Sequence, residues 1–164
     1  MQEEVNKLIK VLKKQTDLYE RLEKLCRDEE KAIIEGNLKK MEKIVKEEEK
    51  VFLQMKVWEK LRFTLMKIIK EKLLIPDDAG FSQVIEKIEK PLSSEIENLR
   101  DNIISKIMAI NQLNRRNISL IEYSIKLIDS YFHRLTGTKT TSVYTSRGKV
   151  EVPEQTRKLL NKIS

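Results

Sequence analysis

The stretch from Leu92 to Leu135 constrains this chain more than any other. Apolar residues recur at Leu92, Ile96, Leu99, Ile103, Ile107 and Ile110, pass through Asn114 and Asn117, and resume at Ile121, Ile125, Ile128, Phe132 and Leu135. Their mean spacing is about 3.6 residues, the period of an α-helix and not the alternation of a strand. Glu95, Arg100, Lys106, Arg116, Lys126 and Asp129 fall between them and suit a solvated face. A helix over this range is roughly 65 Å long at 1.5 Å per residue. One stripe of that length cannot bury itself, so it calls for other helices of comparable length.

The chain supplies two. From Met1 to Glu35, Val5, Leu8, Leu12, Tyr19, Leu22, Cys26 and Ile33 fall in one stripe. Gly36-Asn37 interrupts it: Gly suits the left-handed position after a helix end, and Asn37 is a good N-cap for a second helix. So short a connection predicts an antiparallel hairpin. The rival is one continuous helix in which Gly costs only ~1 kcal/mol. The second helix is expected over Leu38–Leu74, with Leu38, Met41, Val45, Phe52, Met55, Leu65, Ile69 and Leu73 on or near the seam and the rings of Trp58 and Phe63 packed in the bundle. Ile75 to Gly80 reads as a loop, because Pro76 and Gly80 both punctuate helices. A short helix from Ser82 to Glu89 is expected next, with Ser82 as cap and Glu86 near the position of its capping-box partner. Pro91 either kinks that helix or opens the long one.

Beyond Leu135 the composition changes. Residues Thr136 to Ser142 are small and polar and read as a flexible linker. Val143 to Val150 has a turn residue at Gly148, but an isolated hairpin is marginal. Pro153 then opens a segment in which Thr156, Leu159, Leu160 and Ile163 share one helical face. Ten residues are too few for a stable lone helix, so this tail either docks on the body or waits for a partner.

The composition agrees with long helices: 40% hydrophobic, 36% charged, four Gly and three Pro. No apolar run approaches the ~18 residues of a membrane span, so stable membrane insertion is not expected and a cytoplasmic protein is. Lone Cys26 has no internal disulfide partner and reads as a seam residue. His133 is the single histidine, with no second ligand at metal spacing. Gly-rich phosphate loops, HExxH and GxSxG are absent, and the carboxylates are interleaved with Lys as helix-surface pairs are. These patterns predict no enzyme, no metal and no cofactor. The net charge of +7 raises nucleic acid as a partner. Yet Lys139, Arg147, Lys149, Arg157, Lys158 and Lys162 stand against only Glu151 and Glu154 after Thr136, so the excess sits mainly in the tail. The body is a mixed-sign surface, and no nucleic-acid partner is expected.

Three stretches carry a family likeness. Tyr19 to Arg62, "YERLEKLCRDEEKAIIEGNLKKMEKIVKEEEKVFLQMKVWEKLR", joins a Leu-rich helix through a Gly-containing break to a second helix. Ile110 to Phe132, "INQLNRRNISLIEYSIKLIDSYF", sets paired Asn114 and Asn117 before an apolar helix, and "VYTSRGK" places a Tyr shortly before a Gly beyond a polar linker. In this order and at this length the chain resembles the FlgN family of flagellar type III export chaperones. The resemblance implies a cytoplasmic bacterial protein that binds flagellar hook-associated (hook–filament junction) proteins by their C-terminal helical segments. It also implies escort to the flagellar export gate and its ATPase complex, with Tyr144 matching the tail Tyr of gate docking. The basic tail departs from the more acidic character of such chaperones.

The expected architecture is all-α: an elongated antiparallel helical bundle or coiled-coil hairpin of three long helices plus a short one, over 1–135. A flexible basic tail with a short amphipathic helix follows over 136–164. Val143, Leu159, Leu160 and Ile163 are the candidate cargo contacts in the tail. Asn114 and Asn117 are expected as a structural polar seam that sets helix register. A homodimer stays open, because long helices pair within one chain or between two. The alternatives are a different flagellar chaperone or general coiled-coil adaptor that shares the body but need not use Tyr144 or the tail, and a basic helical nucleic-acid binder whose affinity collapses with salt.

Overall fold

The computed structural model describes residues 1–137 of the chain. In order they form α1 (Gln2–Glu35), α2 (Leu38–Leu73), α3 (Phe81–Ile85) and α4 (Leu92–Thr136), with no strand among the described residues. The fold is the all-α bundle of three long helices and a short one. The chain divides into two units, Met1–Leu120 and Ile121–Ser164.

In the first unit, α1 and α2 form the hairpin. Gly36 adopts φ 64, the left-handed conformation that glycine enters without a Cβ penalty. The Asn37 N–H donates to Ala32 O at 3.0 Å and the Gly36 N–H to Ile33 O at 3.1 Å, so the last carbonyls of α1 are satisfied. Asn37 Oδ1 accepts from the Lys40 N–H at 3.1 Å and caps α2. Ion pairs mark the directions: Lys72 with Glu4 and Arg21 with Glu47, both at 2.6 Å, hold α2 antiparallel to α1. Lys13 with Glu95 at 2.7 Å, and Arg116 with Glu30, hold α4 parallel to it.

Two apolar clusters fill this unit. The first joins Val5, Leu8, Ile9 and Leu12 of α1 to Met66 and Ile69 of α2, Val84 and Ile85 of α3, and Ile96 of α4. The second joins Leu18, Leu22 and Cys26 to Val51 of α2 and to Ile110 and Leu113 of α4. In sequence, Gln15 and Thr16 separate the α1 contributions, both buried. The Thr16 hydroxyl donates to Leu12 O at 3.0 Å.

Three local expectations need correction. The buried face of α2 runs through Ile44, Val51, Leu65, Met66 and Ile69, whereas Leu38, Val45 and Phe52 are exposed. Helix α2 carries apolar residues on more than one flank, so spacing alone could not choose between neighbours such as Ile44 and Val45. Phe63 is also exposed, with the Arg62 guanidinium 4.6 Å above its ring, while Trp58 packs partly buried against the second cluster. Helix α3 starts at Phe81 and lasts five residues; the Gly80 N–H donates to Gln83 Oε1 at 2.9 Å, in place of the expected Ser82 and Glu86 pair. Starting there lets Phe81, Val84 and Ile85 all reach the first cluster. Pro91 stands just before α4, and its carbonyl accepts from the Glu95 N–H at 3.1 Å.

Ile69→Ala should lower the unfolding free energy by about 2–5 kcal/mol, since it opens a cavity in the first cluster. Phe52→Ala should change it by less than about 1 kcal/mol, because that ring is already half in water. Denaturant titration followed by circular dichroism distinguishes the two.

Candidate functional site

Where the second cluster ends, the seam between α1, α2 and α4 turns polar. Cys26 is 1% exposed, and its thiol proton has two acceptors in reach: Asn114 Oδ1 at 3.2 Å and Glu48 Oε1 at 3.7 Å. Asn117, 2% exposed, donates from Nδ2 to the Cys26 carbonyl at 3.0 Å and to Glu29 Oε2 at 2.7 Å. Its own Oδ1 is buried without a hydrogen-bond partner. Burial, followed by the nearby charges of Glu48 and Glu29, pushes the Cys26 thiol up to about 12. It therefore stays protonated at neutral pH and is no nucleophile. Burial also raises the Glu48 carboxyl above its usual range, and Glu29 adds to the shift. Asn114 is itself exposed, so the layer is buried at Cys26 and Asn117 and reaches the surface beside them.

The second unit, taken alone, has a different character. At 100° per residue, Ile121, Tyr123, Ile125, Leu127, Ile128, Tyr131, Phe132 and Leu135 spread over roughly 200° of the α4 circumference. Glu122, Lys126, Asp129 and His133 take the remainder. Tyr123, Ile128, Tyr131 and Phe132 are each about 60% exposed and Leu135 is 84% exposed. A stripe of roughly 100° packs a helix onto one neighbour; an arc twice as wide calls for cover on two sides. Sequence reading followed the Ile128–Phe132–Leu135 edge of this arc and missed its other edge, Tyr123, Leu127 and Tyr131. Their i, i+4 spacing was the available signal.

Of the two asparagines expected as a structural seam, Asn117 is buried in the polar layer, whereas Asn114 is exposed at its edge and accepts from the Cys26 thiol. Val143, Tyr144, Leu159, Leu160 and Ile163 lie outside the described residues, as does the segment opened by Pro153. Among the described residues no group of His, Cys, Asp and Glu is placed to hold a metal ion, and no helix is long and apolar enough to cross a membrane.

Among the described residues the body is all-α, and α4 beyond Leu120 carries a wide exposed apolar face. The chain belongs to the FlgN protein family, whose model matches residues 1–151. It is thus a member of a family of flagellar export chaperones. Neither a curated protein nor a solved structure matches it.

The polar layer makes stability depend on pH in a definite direction. Glu48 holds its proton more tightly folded than unfolded, so the folded state binds more protons from the ordinary value of 4.5 upward. Its contribution to stability falls as pH rises through that window. Glu48→Gln should be more stable than the parent protein near pH 7, and the difference should vanish below about pH 4. Asn117→Ala should cost about 1–3 kcal/mol, having left Glu29 without its donor. Unfolding titrations from pH 4 to 8 check both.

Proposed function

We propose that this chain is a cytoplasmic export chaperone. It binds flagellar hook-associated proteins through their C-terminal helical segments, keeps them from assembling early and delivers them to the flagellar export gate. The observation that carries this reading is the wide, exposed apolar face of α4 beyond Leu120 in a member of this family. A cargo helix prone to self-association is apolar along one side. Covering both it and the α4 arc removes two apolar surfaces from water, on the order of 1 kcal/mol per half-exposed side chain.

Tyr144 is the proposed gate-docking residue, and the family match, which ends at residue 151, takes it in together with Val143. Leu159, Leu160 and Ile163 fall beyond the match and are proposed, with Val143, as cargo contacts of the tail.

Co-expression with the hook-associated proteins of the same genome tests this. The full chain should co-purify with one of them, a chain ending at Leu135 should hold it less well, and Tyr131→Lys should weaken the complex at least about tenfold without altering thermal melting. Failure of the full, folded chain to retain any of these proteins would overturn the reading in favour of a general coiled-coil adaptor.

A further inference from the structure

Within the first unit, a cavity of about 320 Å³ opens between α2 and α4. Gln15 and Tyr19 of α1 line it, Ile103 and Ile107 of α4 make it apolar, and Arg62 and Arg100 bring one guanidinium from each long helix. Gln15, 7% exposed, adds a polar group to the lining.

The two guanidiniums are only partly used. Arg100 donates from Nε to Asp101 at 2.9 Å and reaches Ser82 Oγ at 3.5 Å. Arg62 approaches Glu59 no closer than 3.7 Å, beyond good hydrogen-bond length. Glu59 is the one carboxylate on the lining against these two cations. Apolar walls and spare guanidinium donors suit an apolar side chain flanked by carboxylates, which Arg binds in a bidentate fork. At the small end of ligand cavities, ~300–1,000 Å³, the space admits one or two side chains and not a helix backbone. Exposed Ile104 on the lining, and exposed Phe63 beside Arg62, continue the apolar surface on both helices, so a helix laid over the cleft meets apolar surface beyond the cavity itself.

We propose that this cleft is a second cargo anchor: it takes an apolar side chain from an acidic amphipathic helix of the cargo, whose carboxylates pair with Arg62 and Arg100. The proposal rests on the chaperone reading and adds to it a site, a charge preference and a division of labour. Two modest anchors on one cargo give a tight complex by effective concentration while each releases readily.

The test measures binding of labelled full-length hook-associated proteins to the full chain by fluorescence anisotropy at several salt concentrations. Four proteins are compared: the parent chain, the Arg62→Gln/Arg100→Gln double variant, Ile104→Lys, and Tyr131→Lys on α4. The double variant should bind about tenfold more weakly and with a shallower salt dependence, and Ile104→Lys should weaken binding similarly, with melting unchanged. If the double variant melts early, Ile104→Lys decides, since that side chain is half in solvent already. Parent-like affinity and salt slope in the cleft variants, with loss in Tyr131→Lys, would overturn the cleft and leave the chaperone reading standing. No binding by the parent chain to any hook-associated protein would overturn both.

Discussion

A helix of more than thirty residues cannot be held by one neighbour if its apolar residues spread beyond a narrow stripe, and α1 is in that position. Val5, Leu8, Ile9 and Leu12, then Leu18, Leu22 and Cys26, are buried because α2 covers one flank and α4 the other. Every apolar cluster of the first unit passes through α1. The hairpin at Gly36-Asn37 brings α2 back along it, and α3 closes the first cluster where α2 ends. Surface ion pairs such as Lys13 with Glu95 record the directions of the helices but contribute little beside this burial.

The seam is not uniformly apolar, and that has consequences. Asn117 donates to a carbonyl and a carboxylate on α1, and Asn114 accepts from Cys26. Sliding α4 one turn along α1 would part these groups and leave a buried amide unpaired, a cost of about 1–3 kcal/mol. Apolar contacts alone would resist such a slip far less, since one Leu or Ile replaces another at helical spacing. The polar layer also places Glu48 and Glu29 close together, so the same groups that discriminate between registers weaken the fold when both are ionised.

A chaperone needs apolar surface that its own fold does not consume. The last turns of α4 provide it in the second unit, and the cleft over Gln15 adds a smaller, charged version in the first. Wide apolar arcs bind many helices loosely; a cavity rimmed by guanidiniums selects for carboxylates. In the proposed reading, the two together would give selectivity without a long-lived complex.

Helix positions and the hairpin were legible in the sequence because they rest on local chemistry: the 3.6-residue period, the left-handed Gly36, and the Asn37 cap. The family likeness was legible too, in the order of its stretches along the chain. The face of α2 was not, since Ile44 and Val45 are equally apolar and only the placement of α1 and α4 makes the first a core residue and the second a surface one. Gln15 gave no signal either, because a glutamine on a helix is ordinary until other helices close over it. The α4 stripe shows the limit most clearly. The same spacing that buries Ile96 and Ile110 leaves Ile128 and Phe132 exposed. Periodicity records where apolar side chains point, whereas burial depends on whether another element lies there to meet them, and only the tertiary structure decides that.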